Sequence, residues 1–316
     1  MLDVKIAQKI LDKYSLGKLN SFYRHERGIT GTVFDVNDKF IIKIQSDASD
    51  QVRSERNAFI CTLLTKHEIP APELVALDVS KEIMPEKYVI MTKLKGENLK
   101  EFWQDWPKEA QKEIFFEYGR LMARFHQIKM AHFGDPVDPN HQFDNWRDCV
   151  LTRYQRYANY LQKNKVVPME TLGVIDKFFS ANDDLLKINV EPVLTHNDFQ
   201  SKNLKFLNGE LIGIFDFDEC LMAHNELDFT KTCLPFKKEK VWLDEIIRGY
   251  LSLGSISEEF PLRIKLYTLK FCLKVLMFLH INGLSTPLLK NKFLWAIDKI
   301  LTEDWKFFDH PEHLWK

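Results

Sequence analysis

The chain reads as an α+β protein in two sections, on three observations. Residues 1–92 hold short β-branched and aromatic runs separated by turn dipeptides. From Leu99 onward, apolar residues recur at helical spacing. One hairpin signature, Asn208-Gly209 between "NLKFL" and "ELIGIFDF", interrupts those helices. These features divide the chain into a small strand-rich section, 1–92, and a larger helical section, 93–316.

Taken in order, "MLDVKIAQKILDKYSLGKL" spaces apolar residues helically and breaks them with charges, which predicts an amphipathic helix and not a signal peptide. "TVFDV" and "KFIIKIQ" flank Asn37-Asp38 and predict a hairpin. "SDASDQVRSERNAFICTLLTKHEI" predicts a helix that begins near Ser46 to Ser49 and ends before Pro70. "PAPELVALDVS" and "KYVIMTKL" are further strands, and "KLKGENL" connects the two sections. Helices are then expected in "KEAQKEIFFEYGRLMARFHQI" and "FDNWRDCVLTRYQRYANYLQKN". After the central hairpin they are expected in "LDEIIRGYLSLG", "PLRIKLYTLKFCLKVLMFLHING" and "LLKNKFLWAIDKILTEDW".

A chain of 316 residues buries a sizeable core, and its composition, 45% hydrophobic and 28% charged, is ordinary for a globular protein. The formal net charge of -1 advertises neither nucleic acid nor an anionic membrane as a partner. Five cysteines, an odd number without a Cys-x-x-Cys, argue against a disulfide framework or zinc ribbon and point to the cytoplasm. The longest apolar runs stop short of a membrane span, as "VLMFLHI" does at Asn282-Gly283.

Residues 194–220, "LTHNDFQSKNLKFLNGELIGIFDFDEC", mix carboxylates and a histidine among apolar runs in a way a plain core would not. The hairpin turn returns Asp216 to the loop that carries Asp198 and ends at Asn203. Oxygens of Asn203 and Asp216 converging from two segments suit Mg2+, which keeps waters and borrows phosphate oxygens. Asp198 is left to act as a base. Zinc lacks paired Cys or His ligands here, and an EF-hand needs closer oxygen spacing followed by Glu. A solvated acidic loop is the bland alternative, and it leaves His196 and the hairpin unexplained.

The order His-x-Asp-x-x-x-x-Asn followed by Asp on the next hairpin is that of protein-kinase-like phosphotransferases. More closely, "LTHNDFQSKNL" with "IFDFDEC" resembles the aminoglycoside phosphotransferase and choline kinase family. "KFIIKI", "RSERNAFICTLL", "IPAPELVALD", "YVIMTKLKGENL", "YGRLMARFHQI", "FDNWRD" and "NELDFTK" follow the same family order over most of the chain. The resemblance implies a two-lobed protein-kinase-like fold, 1–92 being the nucleotide-binding lobe and 93–316 the catalytic and substrate-binding lobe. It implies an enzyme, a Mg2+-dependent O-kinase with ATP or GTP as donor.

By this resemblance Asp198 is the catalytic base and Asn203 and Asp216 are the metal ligands. Lys43 pairs with the donor phosphates, and Glu55 holds its ammonium in place. Gly28, Thr30 and Gly31 in "RGITGT" form the phosphate-covering turn, and the backbone at Thr92 and Leu94 contacts the base of the nucleotide. His196 braces the loop. Asp228 is a helix cap or a second brace. Asn197 and Asp218 stand where protein kinases carry Arg and Gly, and no Ala-Pro-Glu follows, so a protein acceptor is disfavoured. A nucleotide-binding module without catalysis would have lost one of Lys43, Asp198, Asn203 or Asp216. A glycosidase using Asp198 and Asp216 would leave Lys43, Glu55 and Asn203 without a role.

The acceptor is expected to be a small hydroxylated cation, an aminoglycoside-like antibiotic. Asp218, Glu219 and Glu226 follow Asp216 with no intervening Lys or Arg and could line a cation site. The alternative is a metabolite such as choline, an amino acid or a sugar, and Arg147, Arg153 and Arg156 could equally line an anion site.

Overall fold

Alternation along the strands decides which side chains of the first section face its core. The computed structural model describes residues 2–25, 31–45 and 51–302. Helix α1 (Val4–Lys13) is capped by Asp3, whose side chain accepts the Ile6 N–H at 2.8 Å. Strands β1 (Phe22–His25), β2 (Gly31–Val36) and β3 (Phe40–Gln45) follow, then α2 (Arg53–Lys66). The predicted start of α2 near Ser46 to Ser49 lies outside the described residues. β4 (Leu74–Asp78), β5 (Tyr88–Thr92), the short β6 (Glu97–Asn98) and α3 (Leu99–Phe102) complete this run.

The five long strands form one sheet in the order β1-β2-β3-β5-β4, antiparallel between the neighbours β1 to β2, β2 to β3, β3 to β5 and β5 to β4. Ala7, Ile10 and Leu11 of α1 join Phe34, Val36, Ile42, Ile44 and Ile90 in a buried cluster on one face. Each such side chain contributes roughly 1.5–3 kcal/mol on burial, Ala less. With Ile42 and Ile44 spent there, the period of two turns Lys43 to the opposite face.

The helical section starts with α4 (Lys108–His126), β7 (Phe133–Gly134), β8 (Gln142–Phe143), α5 (Trp146–Lys163) and α6 (Met169–Ala181). Helix α6 adds to the elements read from sequence. Its signal is the buried set Leu172, Ile175 and Phe179, at helical spacing but interrupted by Gly173. β9 (Val193–Thr195), β10 (Leu204–Leu207), β11 (Glu210–Ile214), β12 (Leu221–Ala223), α7 (Leu243–Leu251), α8 (Phe260–Ile281) and α9 (Pro287–Leu301) end the described chain. No helix among the described residues is long and apolar enough to cross a membrane.

Two compact units emerge. One comprises 1–104, 136–139 and 202–220, and the other 105–135, 140–201 and 221–316. The β10–β11 hairpin therefore belongs with the five-stranded sheet's unit, where β10 also pairs with β6. Asn208 and Gly209 both have positive φ, 54° and 85°, as the turn predicted from that dipeptide requires. In the other unit α4 and α7 approach closely through two glycines. A Cβ on Gly119 would lie 1.9 Å from the Ile246 carbonyl oxygen, and one on Gly249 would lie 1.9 Å from that of Phe116. A four-stranded sheet, β8-β7-β12-β9, carries the chain into the loop at 196–201.

Candidate active site

In the first unit, Lys43 Nζ lies 3.0 Å from Asp216 Oδ1 and 2.6 Å from Asp218 Oδ1. Burial works against this ammonium, but the charges and hydrogen bonds of the two carboxylates outweigh it and raise the lysine above its ordinary pKa. Burial likewise opposes ionisation of Asp218. Lys43 and the Asn57 amide, which donates at 2.8 Å, overcome it and hold the carboxyl below the usual range. Arg56 adds a hydrogen bond to the Asp218 carbonyl at 3.1 Å. Asn57 and Arg56 went unrecognised in the sequence, where helical spacing alone gives no sign of a partner so far along the chain.

The expected ion pair between Lys43 and Glu55 is not the one formed. Glu55 Oε1 lies 2.5 Å from Lys87 Nζ, and its Oε2 is buried with no hydrogen-bond partner among the described residues. Two carboxylates from the end of β11 and the turn after it offer Lys43 more Coulomb attraction than one glutamate on α2. Glu55 is left to the lysine just before β5.

The hairpin brings Asn203 and Asp216 together. Leu204 pairs with Ile214, and the Phe215 N–H donates to the Asn203 carbonyl at 3.0 Å. Asp216 takes a left-handed backbone, φ 73° and ψ 72°, a conformation that costs a non-glycine residue on the order of 1–3 kcal/mol and concentrates at functional sites. Lys43 engages its Oδ1, and the side chain is 40% exposed. Among the described residues no cluster of three or more His, Cys, Asp or Glu could hold a metal alone. One carboxylate and one amide fit Mg2+, which takes few protein oxygens and fills its shell with water and phosphate.

Of the remaining first-unit residues, Gly28 and Thr30 lie outside the described residues. Gly31 begins β2, opposite Gln45. Thr92 ends β5, its N–H donating to Glu73 at 2.9 Å, and Leu94 follows two residues on.

The second unit holds the loop with Asp198. His196 is fully buried, and its Nδ1 accepts the Asp198 N–H at 3.2 Å. Asp228 accepts the backbone N–H groups of His196 at 2.9 Å and Asn197 at 2.5 Å, and bonds His126 Nε2 at 2.9 Å. His126 Nδ1 in turn meets the Tyr250 hydroxyl at 2.9 Å. Tyr118 donates to the Phe199 carbonyl at 2.8 Å. His196 and Asp228 are thus both braces of the loop. Asn197 has positive φ, 55°, and the brace holds it there.

The Asp198 carboxylate accepts hydrogen bonds from Lys231 Nζ and Gln200 Nε2, and Gln200 Oε1 accepts from Lys237 Nζ. Neither lysine was singled out in the sequence. Lys231 stands three residues after Asp228, just past the end of a short 3-10 stretch (Asn225–Thr230), a spacing with no recognisable motif.

The three acidic residues expected to line a cation site are differently placed. Asp218 is paired with Lys43. Glu226 is fully buried, its Oε2 2.7 Å from Arg263 and its Oε1 accepting from Ser257 N–H and Oγ at 3.0 and 2.9 Å. A buried carboxylate must be paired, because an isolated one costs several kcal/mol in water lost. Glu219, partly buried, ends the turn that Asp218 occupies.

Residues 22–261 match the model of a family described as the phosphotransferase enzyme family. No curated protein sequence matches the chain. Among solved structures it resembles APH(2")-IIa in a ternary complex with streptomycin and ATP, at 17% identity and a TM-score of 0.69 over 98% of this chain and 99% of that one. A putative fructosamine-3-kinase from Thermobifida fusca is 16% identical, with a TM-score of 0.68 over 94% of this chain and 100% of that one. The aminoglycoside phosphotransferase APH(4)-Ia, solved with AMP-PNP and hygromycin B, is 16% identical, with a TM-score of 0.66 over 93% of this chain and 97% of that one. These likenesses establish the α+β, protein-kinase-like fold.

Proposed function

Because this chain belongs to the phosphotransferase enzyme family and is an O-phosphotransferase acting on small molecules, we propose that it transfers the γ-phosphoryl group of ATP or GTP to an alcohol, with Mg2+ as cofactor. The loop at 196–203 carries this reading. Its candidate base donates its backbone N–H to buried His196, Asp228 accepts the N–H groups of His196 and Asn197, and the loop's last residue opens the hairpin that leads to Asp216.

Phosphoryl transfer asks a protein chiefly for positioning and charge neutralisation. Asp198 takes the proton of the acceptor hydroxyl as its oxygen bonds to the γ-phosphorus. The bond from that phosphorus to the bridging oxygen breaks, and the nucleoside diphosphate leaves with the electron pair. Lys231 donates a hydrogen bond to the Asp198 carboxylate and holds it in place. Lys43 exchanges part of its pairing with Asp216 and Asp218 for phosphate oxygens, and the backbone at Thr92 and Leu94 receives the base of the nucleotide. Gly28, Thr30 and Gly31 cover the phosphates. Asn203 and Asp216 would hold Mg2+, which when bound offsets charge on the phosphate oxygens.

An aminoglycoside-like acceptor has the support of neighbours solved with streptomycin and with hygromycin B. A metabolite acceptor is favoured by a specific observation. Asp218 and Glu226 are consumed by Lys43 and Arg263, while Lys231 bonds Asp198 and Lys237 bonds its neighbour Gln200. Release of ADP or GDP, measured with and without Mg2+ over acceptors of both kinds, tests the proposal. Acceptor-dependent release that needs Mg2+ supports it, and release indifferent to acceptor and to Asp198→Asn defeats it.

A further inference from the structure

Lys270 is 7% exposed, yet no hydrogen-bond acceptor or carboxylate among the described residues pairs with it. Its Nζ stands 5.7 Å from the Trp146 ring centroid and 5.8 Å from that of Tyr267. Two more cations stand near enough to act on it, Arg153 of α5 and Lys274 one turn further along α8. Arg153 also has no acidic partner among the described residues: it donates to Cys149 Sγ at 2.5 Å and lies over the Phe143 ring at 5.6 Å. Arg147, by contrast, is committed to Asp183 at 2.7 Å.

A buried ammonium repelled by like charges is costly unless an anion answers it, since desolvation and repulsion act in the same direction. Burial lowers the Lys270 pKa to about 7. Within that shift Cys149 opposes burial, and Arg153 and Lys274 act in the same direction as burial. Aromatic faces recover part of the cost but supply no acceptor.

The cluster also connects to the candidate base. Tyr267, Lys270, Phe271 and Lys274 recur at helical spacing along one face of α8. Lys231, which bonds Asp198, lies 5.1 Å from the Phe271 ring centroid. One helix face thus runs from the cation cluster to the lysine on Asp198.

Resting on the kinase reading above, we propose that the acceptor is an acid, a hydroxylated carboxylate or a phosphorylated alcohol, whose anionic group docks on Lys270 and Arg153 while its free hydroxyl meets Asp198. The buried rings of Trp146 and Tyr267 flank the Lys270 ammonium. Polycationic amino-sugars are repelled by the same pair of cations.

The test is ligand-induced thermal stabilisation of the full chain, saturated with a non-hydrolysable nucleotide so that anions do not report on the nucleotide site. One arm holds hydroxy acids and sugar acids, a second sugar phosphates, and a third neutral sugars and aminoglycosides. At least one acid is expected to stabilise the wild type, and the arm in which it falls identifies carboxylate or phosphate. Lys270→Met should weaken that ligand about 100-fold, the worth of a lost charged hydrogen bond near 3 kcal/mol. Lys270→Gln should behave alike, which separates lost charge from altered packing. The proposal is overturned if no acid stabilises the wild type, or if the variants bind the acid as well as it does. The kinase reading fails on a different readout, nucleotide turnover indifferent to Asp198→Asn with every acceptor.

Discussion

Replacing Lys270 by Met should stabilise the free protein and change how its stability depends on pH. Burial, supplemented by Arg153 and Lys274, lowers this lysine from the ordinary 10.5 to about 7. At 1.36 kcal/mol for each pH unit, the charged form is disfavoured in the folded chain by about 5 kcal/mol. The group is almost wholly buried, so solvent offers little screening. Because the folded pKa is depressed, the unfolded chain binds the extra proton between about pH 7 and 10.5, and stability rises with pH across that window. Below pH 7 both states are protonated and the cost is fully present; above 10.5 it is gone. The two ring contacts return roughly 1 kcal/mol each, so Lys270→Met should gain about 3 kcal/mol near pH 7. Denaturant unfolding of wild type and variant from pH 6 to 10 measures this, and the difference cancels other titrating groups. The gap should narrow as pH rises. A constant gap, or a destabilised variant near pH 7, would show that the ammonium is already satisfied.

Three further outcomes are expected. Asp198→Asn should lower turnover about 10²- to 10⁴-fold while nucleotide affinity stays within a few-fold, because only the proton acceptor is lost; steady-state rates with nucleotide titration check this. Lys43→Ala should raise the nucleotide Kd far more than Glu55→Gln, and a cycle of Lys43→Ala with Asp218→Asn should show coupling of about 0.5–3 kcal/mol that a cycle with Glu55→Gln lacks. Equal coupling in both cycles would restore the glutamate as the lysine's partner. Gly119→Ala should cost several kcal/mol, about the upper end for an overpacked core, since its Cβ would meet backbone that cannot swing away. An unfolding midpoint equal to wild type would mean that α4 and α7 part easily.

Much of this protein was legible in one dimension because the relevant physics is local. Asn208-Gly209 specified a turn with two positive φ values, and that turn alone returned Asp216 to Asn203. The period of two in "KFIIKIQ" turned Lys43 away from the α1 core. The loop motif singled out His196, Asp198 and Asn203, and Asp228 was read as a cap or a brace. What a charge pairs with was not legible. Lys43 chose Asp216 and Asp218 over Glu55, Glu226 went to Arg263, and Asp198 drew Lys231. Coulomb attraction depends on separation in space and on burial, and neither is encoded by spacing along the chain between residues as distant as 43 and 216. Lys270 makes the same point from the other side. The sequence places it in an apolar helix without marking it, and the packing of α5 against α8 buries it with no anionic partner among the described residues.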